Sequence, residues 1–223
     1  MVELISDLRA DTVRANLEQV REQIATAAIV AGRNPAEVEV LAATKYVSVE
    51  DLPVLAEAGV GLVGENRAQD LAAKVAAHGE MFTWDFIGRV QSRKVKAIVP
   101  HVRLIHSVAS ESVLRELARH RGEVMPGLEI LVEVNVAGEP GKDGIFPEEL
   151  DAFIERSPLP VAGLMTMPPY AENPEDSRRW FAALRSLAAE RGLKQLSMGT
   201  SQDYPVAIQE GATIVRIGTR LYD

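Results

Sequence analysis

The sequence predicts an α/β protein built as a single TIM-barrel-like (β/α)8 domain with an extra helix at its N-terminus. Three observations lead there. From about residue 38 onward, short apolar runs alternate with segments of helical periodicity, the pattern of a parallel sheet wrapped in helices. The runs number about eight, which is the strand count that closes such a barrel. No glycine fingerprint follows the first run, which disfavours a doubly wound open sheet. The 223 residues suit one domain of this class, and no linker or low-complexity tract divides them. Residues 1–223 are therefore expected to form one α/β-barrel domain.

The leading segment, about Asp7 to Gly32, places Leu8, Val13, Leu17, Val20, Ile24 and Ala28 at helical spacing and ends in Gly32-Arg33-Asn34-Pro35, a helix stop. The expected strands follow at Val38–Ala43, Gly61–Val63, Trp84–Ile87, Arg103–His106, Ile130–Val136, Val161–Met165, Gln195–Met198 and Thr213–Ile217. The expected helices between them are Val49–Ala58, Ala68–His78, Ser92–Val99, Ser110–His120, Phe146–Arg156, Asp176–Arg191 and Gln202–Glu210. The Pro/Gly-rich stretches Val136–Gly144 and Met167–Pro174 are short and follow strands, so they read as loops of the barrel.

Composition narrows the function classes. A net charge of −8 argues against a non-specific nucleic-acid binder and makes any local positive pocket stand out. There are no cysteines, which excludes disulfides, thiolate metal sites and cysteine nucleophiles. His78, His101, His106 and His120 are the only histidines, and no two of them sit at helical ligand spacing with a carboxylate partner, so no metal site is expected. No apolar run is long enough to span a bilayer, and the N-terminal segment lacks the apolar stretch of a signal peptide. A cytoplasmic protein without membrane attachment is the expectation.

In a barrel of this kind function gathers where strands end and βα loops begin. Lys45 ends the first run. It reads either as a lysine reaching from a strand end to solvent, or as an amine whose partial desolvation at the barrel mouth favours attack on an aldehyde. Asn66, in Gly64-Glu65-Asn66-Arg67, suits a helix cap or a ligand contact. Gly199-Thr200-Ser201 precedes a helix, so Ser201 reads as its cap or as a phosphate ligand. Gly218-Thr219 after the last strand suits a tight turn or a phosphate, because glycine lets a backbone N–H approach an anion and threonine adds a hydroxyl. Arg216 lies between Val215 and Ile217, so strand alternation can turn it into the barrel. Once buried it needs an acceptor, either a carboxylate or a ring nitrogen. Arginine only donates, so a ring nitrogen held by it stays unprotonated. Lys142 reads as a mobile surface charge.

Taken in order, Ala43-Thr44-Lys45, Gly64-Glu65-Asn66-Arg67, Phe86-Ile87-Gly88 with Gln91-Ser92 and Lys94, His106-Ser107-Val108, Gly163-Leu164-Met165-Thr166-Met167, Leu196-Ser197-Met198-Gly199 and Val215-Arg216-Ile217-Gly218-Thr219 resemble the pyridoxal phosphate homeostasis protein family. The matching strings span about Ala10 to Tyr222. The resemblance implies the barrel of fold-type III pyridoxal 5′-phosphate (PLP) proteins, similar to the N-terminal domain of alanine racemase. It implies PLP as cofactor, carried by Lys45 as a Schiff base. Asn66, Met198, Gly199, Ser201, Arg216, Gly218 and Thr219 would bind the cofactor, with Ser201, Gly218 and Thr219 at its phosphate and Arg216 at the pyridine nitrogen. In the family, a lysine matching Lys142 is linked to cofactor exchange. Thr200, where many members have methionine, and Arg93, where many have asparagine, depart from the pattern and bear on the shape of the phosphate loop.

Two functions fit that resemblance. One is intracellular PLP homeostasis, in which the protein holds the cofactor, buffers its aldehyde and passes it to apo PLP-dependent enzymes without robust turnover of its own. The other is an amino-acid racemase of the alanine racemase type, which needs acid/base groups on both faces of the substrate carbon. In alanine racemase a tyrosine linked to an additional β domain supplies one of them. The length leaves no room for that domain, and no tyrosine is evidently placed opposite Lys45. The expectation is the first function, in a monomer that binds neither nucleic acid nor membrane.

Overall fold

The computed structural model describes residue 5 and residues 7–223. Helix α1 (Ala10–Val30) comes first and buries Val13, Leu17, Val20, Ile24, Ala27 and Ala28. All of these but Ala27 are positions its sequence periodicity marks, and the chain turns out of the helix through Gly32 at φ 68°, where glycine is unstrained. Strands and helices then alternate as β1 (Glu39–Ala43), α2 (Leu52–Glu57), β2 (Leu62–Glu65), α3 (Ala68–His78), β3 (Thr83–Phe86), α4 (Val95–Ile98), β4 (Leu104–Val108) and α5 (Glu111–Arg119). They continue with β5 (Glu129–Glu133), α6 (Leu150–Glu155), β6 (Val161–Met165), α7 (Arg178–Glu190), β7 (Gln195–Thr200), α8 (Tyr204–Gln209), β8 (Ile214–Ile217) and α9 (Thr219–Tyr222).

The eight strands form a closed parallel barrel in sequence order. Closure comes from β1 pairing with β8, in the register Leu41 opposite Arg216 and Ala42 opposite Ile217. Two apolar layers follow from strand alternation. Leu41, Leu104, Leu131, Met165 and Ile214 fill the barrel's interior, joined by Leu62, Ile87 and Ala162. The intervening residues, such as Val63, Phe86, Ile105, Val132, Leu164, Met198 and Val215, pack outward against the helices. The loops after the strands' C-terminal ends gather at one mouth, which is where a barrel of this type places its chemistry.

Some boundaries differ from the sequence expectation. The fifth strand ends at Glu133 rather than Val136, and the expected helix Ser92–Val99 is a 3-10 turn over Ser92–Lys94 followed by the single turn of α4. The expected Gln202–Glu210 helix begins two residues later, at Tyr204, because Asp203 turns its carboxylate back to the N–H of Thr200 at 2.8 Å. An additional short helix, α9, occupies residues that read as a turn. It is held against α1 by Asn16, whose Nδ2 donates to the carbonyls of Leu221 and Asp223 at 3.3 and 2.8 Å.

Candidate functional site

The end of β1 is fixed from below by a buried polar cluster. Glu65 ends β2 with its carboxylate fully buried. It pairs with the ammonium of Lys74 from α3, accepts from Thr44 Oγ1 at 2.7 Å and accepts from the N–H of Asn66 at 3.2 Å. Lys74 Nζ also donates to the Thr44 carbonyl at 2.8 Å. The Tyr222 hydroxyl donates to the Ala43 carbonyl at 3.1 Å, and burial pushes that phenol well above its ordinary pKa. Paired and hydrogen-bonded, the buried charges are tolerated, and the backbone on either side of Lys45 has little freedom.

Above this cluster lies a cavity of about 470 Å³ at the C-terminal mouth. Lys45, Asn66, Ser201, Arg216, Gly218 and Thr219 all line it. They come from four strand ends, those of β1, β2, β7 and β8. Met198 and Gly199 do not line it. Alternation turns the Met198 side chain out of the barrel, where it is fully buried against the helices. Gly199 takes φ 90°, and a Cβ there would stand 2.6 Å from Ala207 Cβ and 2.9 Å from Tyr204 Cα. Gly199 therefore lets β7 turn sharply into the Thr200–Asp203 bend that presents Ser201. The cavity also takes in Tyr46, Gly88, Met167 and Thr200, which sequence reasoning did not select.

Each open choice at these residues has a geometric answer. Asn66 caps no helix: Arg67 occupies the N-cap of α3 without any side-chain cap bond. The Asn66 Oδ1 is buried, with no hydrogen-bond partner among the described residues. Ser201 is not a helix cap either, since its Oγ accepts the Gly218 N–H at 3.1 Å and so joins the β7 and β8 loops. Among the described residues, Arg216 has no carboxylate in hydrogen-bond reach. Its Nη1 donates to Ser197 O at 2.8 Å and Ser197 Oγ at 2.5 Å, and its Nη2 donates to Thr166 O at 3.0 Å and Met167 Sδ at 2.8 Å. Burial lowers its pKa to about 10, against the pull of Glu133 and Asp203, so it remains a cation at neutral pH.

Lys45 is exposed at the mouth, with Nζ 4.6 Å from the ring centroid of Tyr46. Lys45 stands just beyond the last residue of β1 and lines the cavity. Lys142 lies outside the cavity, paired with Glu139 at 2.5 Å. The backbones of the β2 and β3 loops meet beside the cavity: a Cβ on Gly88 would stand 2.1 Å from the Asn66 carbonyl oxygen, so only glycine allows the contact. The opposite side of the mouth carries Glu133, which lines a neighbouring cavity with Arg89, Ser107 and Asp143. Burial, with Asp143 adding to it, pushes the Glu133 carboxyl up to about 7, while Arg216 and Arg89 pull the other way.

The arrangement offers an amine at Lys45, a fixed cationic donor at Arg216, an amide oxygen at Asn66 without a partner among the described residues, and hydroxyl donors at Ser201 and Thr219 beside the Gly218 N–H that Ser201 Oγ accepts. That set suits a planar, phosphorylated carbonyl compound with a ring acceptor. Among the described residues no cluster of three or more histidines, aspartates and glutamates could hold a metal, and no helix is long and apolar enough to cross a membrane.

The family model for the alanine racemase N-terminal domain matches residues 8–223. The pyridoxal phosphate homeostasis protein of Aquifex aeolicus is 42% identical over 217 residues, covering 92% of this chain and 95% of that protein. A crystal structure of an unknown protein from Bifidobacterium adolescentis superposes with a TM-score of 0.87 at 30% identity, covering 99% of this chain and 98% of the other. PipY of Synechococcus elongatus PCC7942, in a structure with PLP bound, superposes with a TM-score of 0.80 at 30% identity, covering 95% of this chain and all of PipY.

Proposed function

Because this chain belongs to the alanine racemase N-terminal domain family, and within it to the pyridoxal phosphate homeostasis proteins, we propose that it binds PLP, holds it as a Schiff base on Lys45, and buffers it for delivery to apo PLP-dependent enzymes in the cytoplasm. The observation that carries the reading is the convergence of Lys45, Asn66, Ser201, Arg216, Gly218 and Thr219 on one cavity. The buried, unpartnered Asn66 Oδ1 adds to it, because a buried acceptor without a donor is costly unless a ligand supplies one.

When bound, PLP supplies a carbonyl carbon that an amine attacks reversibly. The chain's own groups do the rest. Lys45 brings the amine. Ser201, Gly218 and Thr219 would hold the phosphate through two hydroxyls and backbone N–H groups. Asn66 would accept from the ring hydroxyl. Arg216 would donate to the ring nitrogen and, unable to give up its proton at neutral pH, would keep that nitrogen unprotonated. A weak electron sink follows, which suits storage better than turnover.

Racemisation would need a second acid/base group across the cofactor from Lys45. Tyr46, the tyrosine that lines the cavity, lies against Lys45 itself. The α/β barrel is proposed to act as a single domain and as a monomer.

The test is to mix the purified protein with PLP, record the visible spectrum, reduce with borohydride and map the modified lysine. A visible band and an adduct on Lys45, both lost in Lys45→Ala, are expected. No band, or an adduct scattered over surface lysines, overturns the assignment. Transfer of bound PLP to an added apo-enzyme, followed as recovery of that enzyme's activity, tests the delivery role.

A further inference from the structure

Arg216 is the end of a continuous hydrogen-bonded chain that crosses the barrel interior. At the opposite mouth Arg103 pairs with Glu39 through both Nη groups, at 2.9 and 2.8 Å. The same guanidinium donates from Nε and Nη2 to Asp85, at 3.0 and 3.2 Å. Asp85 Oδ2 lies 3.2 Å from His106 Nε2. His106 Nδ1 lies 2.8 Å from Ser197 Oγ, and Ser197 Oγ accepts from Arg216 Nη1. Asp85, His106 and Ser197 are each fully buried.

The hydrogen-bonding partners assign the proton positions along this chain. Asp85 takes two donors from Arg103, so it is a carboxylate and His106 Nε2 must donate to it. Burial, together with the charges of Arg216 and Arg103, lowers the His106 pKa against the pull of Asp85, so the ring is neutral and Nδ1 is an acceptor. The Ser197 hydroxyl donates to Nδ1 and offers its lone pair to Arg216. Every member is satisfied, and the direction of donation is fixed from one end to the other.

An interior of this kind is ordinarily packed with branched apolar side chains, and a buried ionic chain gains little stability over an apolar filling. Its shape suggests a use. Two of the four Nη hydrogens of Arg216 go to carbonyls and a third to Ser197 Oγ. The fourth meets only the Met167 thioether, a weak acceptor, and Met167 lines the cavity. Contacts inside the barrel therefore occupy the inward Nη donors. They leave the Nη2–H that faces Met167, and the Nε–H, which makes no hydrogen bond among the described residues, for a stronger acceptor in the cavity to claim.

We propose that Ser197, His106 and Asp85 are positioning residues: they hold the Arg216 guanidinium at a fixed depth and rotation so that a free N–H of it meets the ring nitrogen of the ligand. The inference rests on the PLP reading and goes beyond it by assigning a role to three residues that never touch the cofactor.

The experiment uses the full chain with PLP labelled with ¹⁵N in the ring, whose NMR resonance reads the hydrogen bonding of that nitrogen. Ser197→Ala deletes the link next to Arg216, and Asp85→Asn changes a link two residues removed from it. Both are expected to move the resonance in the same direction and to weaken PLP affinity, Ser197→Ala by roughly tenfold, the loss of one charge-assisted hydrogen bond, with Ser197→Thr restoring the wild-type resonance. A purely structural role would lower the melting temperature and leave the resonance in place, and that outcome overturns the inference. If one variant fails to fold, the other is decisive alone. Failure of the PLP reading is distinct, since wild-type protein would then give no borohydride adduct at Lys45.

Discussion

Lys74 Nζ, from the middle of α3, donates to the carbonyl of Thr44 at 2.8 Å, so a buried ammonium holds the peptide group that leads into Lys45. The same ammonium pairs with Glu65, the residue before Asn66. One cation thus sets the spacing of two adjacent strand ends on which the proposed cofactor contacts stand.

Lys74→Met leaves the Glu65 carboxylate buried without its counter-ion and is expected to cost about 3–5 kcal/mol. Glu65→Leu strands Lys74 and should cost a similar amount. The double variant Lys74→Met/Glu65→Leu is expected to recover most of the loss, because an apolar pair carries no desolvation penalty. Urea denaturation of the four proteins measures this. Additive losses in the double variant would show that the two charges do not act as a pair.

Asn66 predicts a trade between stability and binding. Its Oδ1 is buried without a donor, and such a group costs about 1–3 kcal/mol. Asn66→Ala is therefore expected to leave the cofactor-free protein as stable as wild type or more so, while PLP affinity falls roughly tenfold for the lost hydrogen bond. Melting temperatures without cofactor, and spectral titration with PLP, separate the two effects. A variant that melts lower and binds as before would contradict both halves.

Glu133 predicts a pH dependence. Its carboxyl is raised to about 7 in the folded protein from an ordinary value of 4.5, so folding favours the protonated form. The stability it contributes is present below pH 4.5 and is lost as the pH rises through 7. Glu133→Gln, fixed in the uncharged state, should match the cofactor-free wild type near pH 4.5 and exceed it at pH 8 by about 3 kcal/mol. Melting curves at the two pH values check this, and an equal gain at both would locate the effect outside the ionisation.

Much of the barrel is legible in the sequence because each strand carries its own apolar run and each helix its own period. Lys45, Asn66, Ser201, Arg216, Gly218 and Thr219 are legible as strand-end residues, and they do meet in one cavity. Met198 is the residue whose side chain the strand-end reading does not place: it neighbours Ser197 in the chain, but a period of two sends the pair to opposite faces of the sheet. Asn66 and Ser201 each suited a helix cap, and only the position of the actual helix starts, Ala68 and Tyr204, excludes it. The chain from Arg103 through Asp85 and His106 to Ser197 carries no local signal, since its members lie on three different strands or their approaches. What the sequence did contain was a polar residue at successive inward positions of β3, β4, β7 and β8, and recognising it requires the register between strands.

The pairing of β1 with β8 has a further consequence. The Ala43 carbonyl and the Tyr222 hydroxyl that bonds it are 179 residues apart, and Lys45 and Gly218-Thr219 flank that contact on either side. The pocket is thus a seam, sewn when the two ends of the barrel meet. During synthesis it cannot exist until the eighth strand has left the ribosome, because contacts so distant in sequence form only after the loop between them has closed. In the finished protein, any fraying of the barrel that starts at this seam opens the pocket first. Ligand held there would act as a stitch, so that its retention and the closure of the cylinder are two measures of one equilibrium.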